Sequence, residues 1–447
     1  MKKQTFFIVA LMALWATCLH AQELIPYRKG DKWGFCTPDK KIVITPKYDF
    51  ARNFREGLAW VYLNYKWGFI DKTGKEIVLP KYGFTEDFHE GLAKVLLTLL
   101  NGKEGFIDKT GKEIVPPKYD YAGSFHEGLA RVELNDKWGF IDKTGKVIVP
   151  PKYDVAYDFH EGLASVKLNG KWGFIDKTGK VIVPPKYDDA WSFSEGLASV
   201  KLNGKWGFID KTGKVILPPK YDYAYNFHEG LALVKLNGKW GFIDKTGKLI
   251  VPPKYDYAYN FHEGLAWVEL NGKWGFIDKT GKVIVPPKYD DALDSQEVLA
   301  EGVMPIEVMF YAPYFDEGLA RVKLNEKYGF IDKTGKEIVP PKYDKVGDFS
   351  KGFALVKLNG KWGFIDKTGK EIVPPKYDGA SDFQEGLARV KLNGKYGFID
   401  KTGKEIVPPK YDDAWDFQEG LARVKLNEKD FYIKVFPDGK VVEYYEE

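Results

Sequence analysis

The chain has 447 residues, 44% of them hydrophobic and 16% aromatic, with a formal net charge of +4. That apolar content excludes a disordered chain. Half of the charge excess sits in Lys2 and Lys3, and elsewhere acids and bases interleave (Asp176-Lys177, Lys186-Tyr-Asp188), so no basic stripe builds up and nucleic acid is not expected as a partner.

Residues 1–21 read as a secretory leader. Lys2 and Lys3 form its basic start, residues 6–15 an apolar run too short for a good membrane span, and Ala21 a small residue suited to cleavage. A competing reading lipidates Cys18, although Trp15-Ala16-Thr17 is a poor match to the usual Leu-x-small pattern. No other segment is long and apolar enough to span a bilayer, and the leader puts the expected mature chain outside the cytoplasm: periplasm, outer-membrane surface or medium. If Cys18 leaves with the leader, Cys36 is single and no internal disulfide is possible. A catalytic thiol is not expected there, because no repeated His accompanies it.

Beyond the leader one 34-residue unit recurs almost to the C-terminus. Its Trp-Gly step falls at Trp33, Trp67, Trp138, Trp172, Trp206, Trp240, Trp274 and Trp362; Glu104, Tyr328, Tyr396 and Asp430 replace the Trp elsewhere, giving about twelve copies. Such a period means a repeat architecture in which each unit needs neighbours to bury its apolar surface. In one copy, Leu163 to Leu168 alternates as a half-buried strand. Asn169-Gly170 tolerates positive φ at both positions and suits a two-residue hairpin. Lys171 to Asp176 is the second strand, with Trp172 and Phe174 on one face and Gly173 and Ile175 on the other. Asp176-Lys-Thr-Gly179 makes the next turn, the Asp side chain bonding amides ahead of it. Residues 180–183 form the third strand, which Pro184-Pro185 is expected to stop for want of ladder amides. Residues 186–196 link to the next unit with room for a short fourth strand and no helical period. The indoles are expected to be core.

The departures follow in chain order. The first unit has Thr37-Pro-Asp-Lys40 in place of the usual turn, and the last has Asp430-Phe-Tyr432 before an acidic tail; both read as caps that hide strand edges. One strand is longer around residues 95–100. Trp274 and Tyr328 are 54 residues apart, 20 more than the period, which reads as a truncated repeat that has lost its Trp-Gly hairpin. The resulting organisation is a leader (1–21), repeats one to eight (22–300), the truncated repeat (301–320), repeats nine to twelve (321–432) and a C-terminal cap (433–447).

Lys-Trp-Gly-Phe-Ile-Asp-x-x-Gly-x-x-x-x-x-Pro-x-Tyr-Asp, followed by Phe-x-Glu-Gly-Leu-Ala, resembles the WG (KWG) repeat family of bacteria over residues 30–432. The resemblance implies β-rich repeats, often on exported proteins, and brings no catalytic residue with it.

Two columns invite a functional reading. His89, His126, His160, His228 and His262 share one, but Arg55, Ser194, Gln384 and Gln418 fill it elsewhere; a ligand set would not tolerate such swaps, so no metal and no cofactor are expected. Carboxylates such as Asp188 and Glu195 recur in nearly every copy, whereas an acid–base pair needs a unique environment, so no enzyme is expected. The second column holds Tyr157, Trp191, Tyr225 and Tyr259 in successive repeats. It is a candidate stripe for sugar rings or a partner's apolar side chains, against the plainer reading of packing between units. The expectation is therefore an all-β tandem array of about twelve 34-residue three-stranded antiparallel meanders. It is read as an open, solenoid-like superhelix, with one or two β-propellers as the alternative. Its role would be a binding or adhesion scaffold for a protein or glycan partner. A structural envelope spacer is the alternative, and least favoured is a carbohydrate-active enzyme with its pocket near residues 299–315.

Overall fold

The computed structural model describes residues 23–86, 88, 91–98, 102–290 and 315–446. The leader with Cys18, His89 and most of the truncated repeat lie outside them. The described residues are all-β, with no helix, and fall into two compact units. The first comprises the described residues up to Gly102, with Ile107–Lys112 and those from Gln418 on; the second comprises Lys103–Phe106 and Glu113–Phe417.

In the second unit the repeat is a small open sheet. In one copy the strands Val155–Ala156, Leu163–Leu168, Lys171–Asp176 and Val181–Tyr187 pair antiparallel in that order. To the three expected strands is thus added a short first one, supplied by the linker. The hairpin forms as the residues dictate, with Asn169 and Gly170 at φ of 52° and 78°. Asp176 Oδ1 accepts bonds from Thr178 N (2.9 Å), Thr178 Oγ1 (2.6 Å) and Lys180 N (3.0 Å), which closes the second turn.

The prolines do not end the third strand. Val181–Tyr187 runs through Pro184 and Pro185, because it lies at the sheet edge where an absent amide costs no ladder bond. The register pairs Phe174 with Val183 but Trp172 with Tyr187, so the prolines bulge across Gly173. A Cβ on Gly173 would sit 2.4 Å from Val183 O and 2.7 Å from Pro185 N. The Trp-Gly glycine is therefore a steric requirement of the Pro-Pro bulge.

Both faces of each sheet are buried, as the alternation requires. Trp172, Phe174 and Val183 pack forward on Ala198, Val200 and Ile209 of the next repeat. Ala164, Val166 and Ile175 pack back on Phe140, Val149 and Tyr153. Trp33, Trp172, Trp206 and Tyr328 are buried, as is Trp240; Trp67, Trp138, Trp274 and Trp362 are half-buried. Across the interruption the same packing holds: Trp267, Phe276 and Val285 share a core with Phe315, Val322 and Ile331. Asp290 N donates to Lys323 O at 2.9 Å, as consecutive repeats do elsewhere.

In the first unit the two ends are not separate caps. The strand Ile25–Lys29 pairs in parallel with Val441–Glu446, placing Arg28 opposite Tyr445 and Lys29 opposite Glu446. Ile25, Trp33, Phe35, Tyr48 and Ile70 share one core with Leu421, Tyr432 and Tyr444. Each edge that the sequence left to be hidden is covered by the other.

Candidate functional site

The repeated carboxylates of the Asp176, Asp188 and Glu195 columns are committed to the framework. Asp188 Oδ1 receives Lys171 Nζ (2.6 Å), and in sister repeats the second oxygen caps the next hairpin, as Asn135 N to Asp120 Oδ2 (2.8 Å) shows. Glu195 accepts from Gly230 N (3.0 Å) and pairs with Lys245 Nζ (3.1 Å), both in the following repeat. Glu127, Glu161, Glu229 and Glu317 make the same pair of bonds. The Thr178 hydroxyl, followed by two backbone amides, holds the Asp176 carboxyl below its ordinary value, and Asp142, Asp210 and Asp244 repeat this. His126 and His228 are exposed at the ends of strands, His160 is exposed in a bridge with Leu163, and His262 is half-buried.

These turns make the fold acid-sensitive. The folded-state pKa is depressed, so the unfolded chain binds protons first as pH falls. The stabilisation is complete above the ordinary carboxylate value of about 4 and is lost as pH drops through the depressed one. Replacing Thr178, Thr212 and Thr246 together by Val should lower stability at neutral pH. It should also flatten the loss between about pH 4 and 2, followed by tryptophan fluorescence. An unchanged slope would refute the role given to the hydroxyls.

The aromatic column lies against the indoles. Tyr157 is 37% exposed and stacks on Trp172, with centroids 5.3 Å apart and planes 3° apart. Tyr225 stacks on Trp240 (5.7 Å) and Tyr259 on Trp274 (5.4 Å), while half-buried Trp191 packs against the core that contains Trp206. Tyr225 and Tyr259 belong to one ring network, linked through Trp240 and Tyr257. Tyr157 makes its stack within its own repeat. Burial pushes the Tyr225 hydroxyl pKa up.

A different surface, which attention to aromatics passes over, is a row of aliphatics. Val147, Val181, Val215, Leu249 and Val283 each open a third strand in five consecutive repeats, and all are 39–45% exposed. The repeats before and after carry Glu there: Glu76, Glu113, Glu337, Glu371 and Glu405. Where Glu is present it accepts from the preceding repeat's Tyr and pairs with its Lys, as Tyr343 Oη (2.9 Å) and Lys342 Nζ (3.4 Å) do with Glu371. In the aliphatic block the buried hydroxyls of Tyr153 and Tyr187 have no partner among the described residues. Lys118, Lys152, Lys186, Lys220 and Lys254 lie over the adjoining Tyr rings at 5.1 Å, with no carboxylate partner among the described residues. Exposed aliphatics and unneutralised ammonium groups thus alternate along five repeats, at a cost in internal bonding.

Comparison with known proteins places this geometry. The model of the WG containing repeat matches twelve times, at residues 33–67, 67–97, 105–138, 138–172, 172–206, 206–240, 240–274, 274–297, 311–328, 328–362, 362–396 and 396–429. No curated protein matches the chain. Among solved structures it is similar to a eukaryotic initiation factor, at 11% identity and a TM-score of 0.34, covering 71% of this chain and 94% of that one. It is also similar to PorZ, a surface component of the type-IX secretion system of Porphyromonas gingivalis (10% identity, TM-score 0.24, 88% of this chain and 65% of that one). A third is the extracellular domain of a hybrid two component system from B. thetaiotaomicron (12%, TM-score 0.22, 90% and 68%). Likenesses this distant carry no argument about function. Among the described residues no helix is long and apolar enough to cross a membrane.

Proposed function

The chain belongs to the WG containing repeat family over nearly its whole length, and from that premise we propose that it is an exported, non-catalytic scaffold that binds a protein or glycan partner through an extended β surface. Export rests on the leader character of residues 1–21. The non-catalytic reading rests on the recurring carboxylates of the Asp176 and Glu195 columns, which are committed to a turn or to a bond with the next repeat. The observation that carries the binding role is the five-repeat row from Val147 to Val283. The fold has a ready internal use for Glu at that position, yet the row places aliphatic groups in water beside uncompensated lysines. Such a strip suits a partner with negative charges set among apolar groups.

The test is to give the row what its neighbours have. A variant carrying Val147→Glu, Val181→Glu, Val215→Glu, Leu249→Glu and Val283→Glu regains the Tyr and Lys bonds. Each is worth about 0.5 kcal/mol, so its unfolding temperature should equal or exceed that of the parent. Capture of partners from envelope and host extracts and from glycan arrays should fall away, and parental capture should weaken with salt. Undiminished capture by the stable variant would sink the proposal.

A further inference from the structure

Independently of that surface, the first unit contains a cavity of about 520 Å³ at the place where its N-terminal repeats meet the segment from Gln418. That size lies within the usual range for small-ligand sites. Trp60, Phe69 and Phe88 form its apolar wall, with Trp60 and Phe69 centroids 5.9 Å apart and those of Phe69 and Phe88 5.1 Å apart. Arg52, Arg55 and Glu419 contribute its charge.

The cavity exists because the repeat rule is broken here. Glu419 stands in the column where Glu195 grips the next repeat's glycine amide. It instead receives Arg55 Nε and the Asn53 amide, each at 3.0 Å. Arg55 replaces the column's His, Ser or Gln, and Trp60 stands in a variable column that holds Ser199 and Trp267 in other repeats. The charges in the wall are settled except for one: Arg55 has Glu419, and Glu56 has Lys109 at 2.6 Å. Exposed Arg52 lies over the Trp60 ring, 4.6 Å from its centroid, with no carboxylate partner among the described residues. Arg52 also departs from its column, which holds Tyr157, Trp191, Tyr225 and Tyr259 in other repeats, so the framework does not require an arginine there.

A guanidinium seated on an aromatic face is held in place while its N–H fork remains available to a carboxylate. We propose that this cavity binds a small organic acid, its carboxylate on Arg52 and its flat apolar face on half-buried Phe88, which buried Phe69 backs. Both an aromatic acid and a sugar acid present that chemistry.

The experiment titrates the intact chain with sodium phenylacetate and with sodium glucuronate, against phenylacetamide and methyl glucoside as uncharged counterparts. Calorimetry gives affinities, and the fluorine signal of 5-fluorotryptophan at position 60, assigned by its loss in Trp60→Phe, reports location. One of the two acids should bind and shift that signal, and which one identifies the source. Arg52→Gln should weaken binding about tenfold or more, and Arg52→Lys should weaken it too, since an ammonium lacks the fork. Because Arg52 is exposed, both variants should unfold as the parent does. The proposal is overturned if neither acid binds, if an uncharged counterpart binds equally well, or if Arg52→Gln keeps the parental affinity.

Discussion

Trp206→Ala is expected to destabilise the array by about 3–5 kcal/mol. Trp206 is 1% exposed and shares a core with Leu217, Tyr221, Phe227 and Val234, so its loss empties a space walled by two repeats. A buried indole covers about 200 Å², worth about 5 kcal/mol as an upper bound. In a repeat array such damage stays local before it becomes global. Hydrogen exchange should therefore accelerate first in the strands Leu197–Leu202, Lys205–Asp210 and Leu231–Leu236. The same change at half-buried Trp362 should cost less. An unaltered unfolding profile for Trp206→Ala would contradict the packing described above.

Adding one methyl group next door should do comparable harm. In Gly207→Ala the new Cβ would lie 2.4 Å from Leu217 O, 2.6 Å from Pro219 N and 2.8 Å from Pro218 C. All three are backbone atoms of the bulged strand, and none can swing aside as a side chain would. The strand must lift away, at about 3 kcal/mol. Gly204→Ala is the control: it meets nothing within 4 Å and carries only the strain of a φ of 79°, about 1 kcal/mol. If the two variants unfold alike, the crossing of the prolines over the glycine is not what fixes that residue.

What the sequence makes legible is what local chemistry decides. Asn169-Gly170 fixes the hairpin, that hairpin fixes the Trp172–Lys167 register, and alternation then assigns Phe174 and Ile175 to opposite faces. Pro184-Pro185 misleads because the stop rule applies to central strands, and nothing local says that Val181–Tyr187 lies at an edge. The row from Val147 to Val283 is written plainly as Val or Leu in place of Glu. Its exposure, however, follows only once the strand is known to continue beyond it. The aromatic column is equally visible at Tyr225 and Tyr259, but their stacking on Trp240 and Trp274 is a matter of tertiary packing. Least legible are the parallel pairing of Arg28 with Tyr445 and the cavity beside Arg52, since both depend on residues hundreds of positions apart.

That pairing imposes an order of events. Lys29 precedes Glu446, the partner of its side chain at 3.4 Å, by 417 residues, and so emerges far ahead of it. Sheets within a unit can form one after another as the chain emerges, but the opening strand must wait unmatched until the closing one arrives. Maturation of the first unit therefore ends in a single late latching step. A chain halted short of residue 441 would present a bare, adhesive strand to its surroundings.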